Sequence, residues 1–301
     1  MPNFKRTVRV VFEGVDIDPI EDLRVAFDVS KSDGEQLNKG TITIWNMRPS
    51  SRAALSNARP LNTLLVEPTI KVSLYAGYED STKEIITGDV YLSPSVRDGS
   101  DWITTIEVYS GITAATLANV NISFDGKTNA KFIAGELGTP LGLDISYTEE
   151  ASQILENKTY FDFSESGMSV RSLSTFLNRF NLGFTIEEDG KGLVYKLNAP
   201  RELDQPRSPE NAFNKSNGLV GTPSITRTGV EIVALLRPQI KLLQSFYVES
   251  QTINEVLQGN EELTNKYFAK SVRHFGDTHD NQWFTSIEGF YADILDGVYD
   301  G

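Results

Sequence analysis

The sequence predicts a mainly β fold with an α+β insert, in which two antiparallel β-domains flank a small middle domain. Three observations carry that prediction. Val8, Val10 and Phe12 alternate with Arg9 and Val11, and Leu23, Val25 and Phe27 with Arg24, Ala26 and Asp28. This period of two belongs to half-buried antiparallel strands. Next, one stretch is written twice. Ser95-Val96-Arg97 leads to Trp102-Ile103-Thr104-Thr105-Ile106-Glu107, and Ser271-Val272-Arg273 to Trp283-Phe284-Thr285-Ser286-Ile287-Glu288. Upstream, Gly40 and Gly229 are each followed eight residues later by Arg-Pro, at Arg48-Pro49 and Arg237-Pro238. Markers recurring in one order imply two copies of a module. Finally, the stretch between the copies changes to helical spacing, with Val170, Leu173, Phe176, Leu177 and Phe180 three or four residues apart.

These signals divide the chain into 1–112 (first β-domain), 113–200 (middle domain), 201–216 (linker), 217–292 (second β-domain) and 293–301 (acidic tail). In the first, Thr41–Trp45 and Lys71–Tyr75 read as further strands. Pro49-Ser50-Ser51 opens a short helix, and Asp98-Gly99-Ser100 is a loop tip. In the middle, Thr128 caps a helix through Leu137, stopped by Gly138 and Pro140. Ser166 or Ser169 starts a second helix, ended at Gly183. Strands at 184–186 and 193–197 flank an Asp189-Gly190 turn. Pro206, Pro209 and Pro223 mark 201–223 as a linker or extended arm, and a helix falls within 252–265. Followed along the pleat, Trp102, Thr104 and Ile106 share one face, as do Trp283, Thr285 and Ile287. These six residues are the expected repeat core, packing inside each barrel. The Ser-to-Trp spacing grows from seven residues to twelve, a difference assigned to the loop.

The 301 residues leave room for two or three domains. Zero cysteines exclude disulfides, thiol nucleophiles and Cys-ligated metals. A net charge of −13 makes the chain a poor clamp for a phosphate backbone. No apolar run approaches the roughly 20 residues of a membrane span, and the N-terminus lacks a signal-peptide pattern. A soluble, non-secretory chain is expected.

No catalytic constellation emerges. His274 and His279, with Asp277 and Asp280, are the one local cluster of metal-ligand types; the repeat puts them at a hairpin tip, as loop decoration. The adjacent carboxylates Glu149-Glu150, Glu187-Glu188 and Glu261-Glu262 read as solvated surface. Gly190-Lys191-Gly192 is too short to cradle a phosphate. No catalytic, cofactor-binding or metal-ligating residue is assigned, and no enzyme activity or cofactor is expected.

Several blocks together resemble phage tail baseplate hub proteins, related to the hub part of type VI secretion spike proteins. They are Val25–Lys31, Asn38–Pro49, Val72–Tyr78, Gly88-Asp89-Val90, Gly218–Pro223, Gly229–Pro238 and Ser271–Glu288. One departure is Leu242-Leu243-Gln244, where the family would have a proline–glycine turn. The resemblance implies two tail-tube-like β-barrels per chain and a homotrimer that presents six similar modules. Such a ring would join a tail tube protein to a spike or distal tip protein, among other baseplate proteins. DNA would pass through its channel without specific binding. It implies a virion tail location, with synthesis in the host bacterial cytoplasm. A contractile injection or type VI secretion particle is the neighbouring reading, and a tail-associated cell-wall hydrolase is the alternative of another class.

Overall fold

Strand β1 (Arg6–Glu13) buries Val8, Val10 and Phe12 on one face, and the same alternation builds the rest of the first barrel. In the computed structural model, residues 5–32, 37–56, 70–79, 81–187, 191–197, 199, 206–258 and 265–291 are described. The barrel adds β2 (Val25–Ser32), β3 (Lys39–Trp45), β4 (Lys71–Tyr78), β5 (Lys83–Leu92), β6 (Ser95–Asp98) and β7 (Asp101–Tyr109). Strand order is β1-β4-β5-β7-β3-β2, with β6 paired to β7. An isolated bridge between Val10 and Ile20 draws β1 toward the approach to β2, at N–O distances of 3.0 and 2.9 Å. Helix α1 (Pro49–Ser56) follows β3 and buries Leu55 in the same core as Ile42, Ile44, Leu74 and Ile106. Closing the sheet this way removes most open edges.

The middle region has its own core. A two-stranded ribbon, β8 (Asn119–Asn129) against β10 (Thr159–Met168), stands beside a three-stranded sheet. That sheet is β9 (Ile145–Tyr147), β11 (Leu182–Ile186) and β12 (Gly192–Lys196), with β12 central and parallel to β9. Helices α2 (Ile112–Leu117), α3 (Ala130–Gly138), α4 (Glu149–Glu156) and α5 (Ser169–Asn178) complete it. Leu173, Phe176 and Leu177 of α5 pack on Ile133 and Leu137 of α3, as their spacing predicts. The cap of α3 is Asn129, whose side chain accepts from the Lys131 amide; Thr128 is one residue too early. Ser166 lies in β10, and α5 begins at Ser169. Gly183 sits in β11; α5 stops earlier, at Asn178, before a turn in which Asn181 takes a φ of 56°.

The second barrel comprises β13 (Ala212–Phe213), β14 (Leu219–Ile225), β15 (Gly229–Leu235), β16 (Ser245–Val248), β17 (Lys266–Asp277) and β18 (Trp283–Tyr291), with α6 (Gln251–Gln258). Residues 206–216, expected as a linker or arm, are an arm built into this core. Phe213 is fully buried, β13 pairs in parallel with β16, and Phe213 meets Phe246 edge-on at 6.0 Å. The Asp189-Gly190 turn, the Glu261-Glu262 pair and the tail 293–301 lie outside the described residues.

The two copies share a strand pair. Ile42 faces Ile106 in the β3–β7 ladder, and Ile232 faces Ile287 in β15–β18. The next amide closes both alike: Asn46 N donates to Trp102 O at 2.7 Å, and Leu236 N to Trp283 O at 3.0 Å. The Ser-Val-Arg triplets do not coincide. Ser95 faces Thr104, whereas His274, not Ser271, faces Thr285. The extra length of the second copy therefore lies partly in the hairpin arm rather than the loop alone, because added cross-strand pairs extend an existing ladder. The buried arm gives a test. Phe213→Ala should lower stability by about 3–5 kcal/mol in denaturant unfolding, whereas a free linker would leave it unchanged.

Candidate functional site, the seam between the barrels

Strand β17 belongs to both barrels. Its first residues pair with β16, from Lys266 to Phe268; a register shift follows between Ala269 and Ser271. Beyond that bulge, seven residues, Ser271 to Asp277, pair antiparallel with β2 of the first barrel. Its other edge stays on β18 throughout. A bulge bends a strand and increases its twist, and here it accompanies the change from one partner strand to another.

Gly276 is the pivot of this seam. It faces Phe27 in the ladder on one side and Trp283 on the other. The two rings meet across it edge-to-face, with centroids 5.2 Å apart and planes at 78°. A Cβ on Gly276 would stand 2.6 Å from Trp283 Cε3 and 2.8 Å from Phe27 Cζ, so only glycine leaves room for the pair. Trp283, 1% exposed, is grouped with the first barrel's core, and its Nε1 donates to Gly77 O at 3.2 Å. The second module thus inserts its repeat tryptophan into its neighbour, not into its own barrel. Thr104, Ile106, Thr285 and Ile287 are fully buried. Trp102 is not: it is 37% exposed at the end of β7, with the Arg52 guanidinium 3.8 Å from its ring centroid. It shares the inward pleat of Thr104 and is paired on both sides of β7, but its ring belongs to no buried core and is covered by Arg52 alone among the contacts described.

Polar groups frame the seam. Arg24 Nη2 reaches Asp277 Oδ2 at 2.7 Å, and its guanidinium lies 4.2 Å from the Trp45 ring centroid. Burial pushes the Asp277 carboxyl up, but hydrogen bonds from Arg24 and the His279 amide outweigh it, so the net shift is downward. Arg273 Nε donates to Asp28 Oδ1 at 2.8 Å, and Arg6 donates to the carbonyls of Asp277 and Asp280 at the β17–β18 turn. His274 is not at that tip. It is fully buried within β17, with Nδ1 2.9 Å from Thr285 Oγ1, because the arm is longer than the repeat implied. His279 does occupy the turn. Among the described residues no group of three metal-ligating side chains converges. Glu149 and Glu150 open α4 behind the Thr148 cap, where carboxylates favour a helix N-terminus. No helix among the described residues is long and apolar enough to cross a membrane.

The middle region docks on the same assembly. Leu193 and Tyr195 of β12 pack on Leu243, Phe268 and Phe290. Asn38 Nδ2 donates to Ile186 O at 2.9 Å. Leu243, within the stretch Leu242-Leu243-Gln244 where a proline–glycine turn is expected, takes a φ of 60°, yet it is 2% exposed. Its burial in the seam offsets a backbone cost of about 1 kcal/mol.

Trp283→Ala should cost about 3–5 kcal/mol and Gly276→Ala about 1–3 kcal/mol, read from denaturant midpoints; a change below 0.5 kcal/mol for either would contradict the packing. Asp277→Asn tests the ion pair. Because the folded carboxyl titrates below its ordinary value, the wild-type advantage is present above about pH 4 and fades as pH falls through the lower folded value. Arg24 is partly exposed, so solvent screening holds this term to about 1 kcal/mol.

The fold has solved counterparts. The 43 kDa tail protein of prophage MuSo2 from Shewanella oneidensis matches with a TM-score of 0.65 at 9% identity, over 96% of this chain and 98% of that one. A tail protein from Neisseria meningitidis MC58 matches with a TM-score of 0.57 at 12% identity, over 96% and 97%. The E. coli c3393 protein, a component of the type VI secretion system, matches with a TM-score of 0.57 at 8% identity, over 94% and 76%. No curated protein matches in sequence. The family model for baseplate hub gp41 matches residues 7–289. That span takes in both barrels and the region between them, and the chain belongs to the baseplate hub gp41 family.

Proposed function

We propose that three copies of this chain form a pseudo-six-fold ring that joins the tail tube to a central spike or distal tip and lets DNA pass. The supporting observation is the welding of two barrels, alike in their central strand pair, through β2 and β17 in one chain. Three such chains present six modules, which reconciles a six-fold tube with a three-fold spike. The partition 1–112, 113–200 and 217–292 would set the two ring-forming barrels and an insert decorating the ring. A net charge of −13 suits a channel wall that repels passing phosphate. The role is structural, in the virion tail, with no chemistry asked of the chain. The likeness to a type VI secretion component favours, as the second reading, the same ring in an injection particle.

Light scattering should give three times the chain mass of 33.4 kDa, and negative-stain images a hollow ring of near-six-fold outline. A monomer with no ring at any concentration would refute the proposal. Peptidoglycan zymography should show no clearing; clearing abolished by Glu149→Gln or His279→Ala would instead support the hydrolase.

A further inference from the structure

The closure of the first barrel is finished by residues of the second. A barrel closed by its own strands would pair β1 with β2, the two ends of its strand order. Among the described residues these two share no ladder. β1 pairs along its whole length with β4 on one side, and on the other it makes only the bridge between Val10 and Ile20. The free edge of β2 is taken by β17. Between the Arg6 end of β1 and the Val25 end of β2, the wall is left to other residues.

The tip of the β17–β18 hairpin, residues 277–283, stands there. On the β2 side, Thr278 N donates to Val25 O at 3.0 Å and Val25 N donates to Thr278 Oγ1 at 3.1 Å. On the β1 side the contact is one half-buried side chain. Arg6 Nη1 donates to Asp277 O at 3.2 Å and to Asp280 O, and Nη2 donates to Asn281 O at 3.3 Å. Three main-chain carbonyls of one turn thus converge on one guanidinium, whose five donors lie in a planar fork. The Asp277 carboxylate is held instead by Arg24 and the His279 amide. Behind the fork stands Trp283, with the Arg6 guanidinium 5.5 Å from its ring centroid and its Nε1 bonded to Gly77 O of β4. Trp283 and Leu236 are the second barrel's two residues in the first barrel's core, while the second barrel's own core takes none from the first. Arg6 and Asp277 lie 271 positions apart, and contacts that close so long a loop form late.

We infer that β1 is a gate strand of the first barrel and that Arg6 is its latch. The hairpin tip enters between β1 and β2, carrying Trp283 into the core, and Arg6 closes over it by gripping the turn's carbonyls. The strand that is synthesised first is therefore the last to be locked, by residues near the other end of the chain. The device works within one chain, so it holds whether or not that chain enters a ring.

Native-state hydrogen exchange of the full-length chain reads the latch. In the wild type, the amides of Val8–Phe12 should exchange through a partial opening, seen as a shallow dependence on low denaturant. Those of Phe27–Lys31 should follow the steep dependence of global unfolding. Arg6→Ala should speed exchange in Val8–Phe12 about tenfold or more, the loss expected when hydrogen bonds from a charged donor are removed. Arg6→Lys should do nearly the same, because an ammonium keeps the charge but lacks the fork that spans three carbonyls. Exchange in Val8–Phe12 that is unchanged by Arg6→Ala, or kept at the wild-type rate by Arg6→Lys, would overturn the latch. So would a wild-type β1 that exchanges only with global unfolding. That last measurement needs no variant, so a misfolded Arg6→Ala chain leaves the question decidable.

Discussion

The pairing of β2 with β17 is the constraint on which the rest of the structure depends. One strand cannot serve two barrels unless it changes partner partway, and the irregularity after Ala269 marks that change. Once Ser271–Asp277 lie on β2, the glycine between Phe27 and Trp283 lets two aromatic rings close over the ladder. Burial of a tryptophan and edge-to-face contact then stabilise a joint that backbone hydrogen bonds alone would leave marginal. The result is a rigid pair of barrels rather than two domains on a tether.

Rigidity matters for a hub. A flexible link would let two barrels adopt many relative angles, and closure of a ring would have to pay for that lost freedom. Here the angle between the barrels is set within the chain, by the strands they share. The polar frame adds direction more than strength: Arg24–Asp277 and Arg273–Asp28 fix which residues face each other across the seam, while partial exposure limits what each contributes. The middle region is held by apolar contact on the second barrel, through Tyr195 and Leu243, and by the buried bond from Asn38 to Ile186 on the side of the first, without sharing either barrel's sheet.

Much of the fold was legible because patterning reports burial directly. Alternation located β1, β2 and β7, and three-to-four spacing located α5, since both follow from which face meets a core. The repeat located Trp283, Thr285 and Ile287 as buried, but not the core into which Trp283 goes. Periodicity states that a side chain is inward, not whose interior it enters. Trp102 shows the same limit from the other side, since an inward pleat position does not guarantee a core above it. Phe213 was hidden by the prolines and asparagines around it, which signal irregular backbone yet do not prevent burial. His274 lies inside β17 rather than at the tip because the Ser-Val-Arg triplets match in sequence while their pairing differs by three residues. The departure at Leu242-Leu243-Gln244 is informative: a positive φ in a residue as bulky as Leu243 points to packing that holds it there.

Amide hydrogen exchange across the seam tests the central claim most directly. If β17 is shared, the amides of Phe27–Lys31 and Val272–Gly276 are protected to a similar degree and lose protection together when the chain is destabilised. Fast exchange in β2, as at an open sheet edge, with β17 still protected by β18, would contradict a joined pair of barrels.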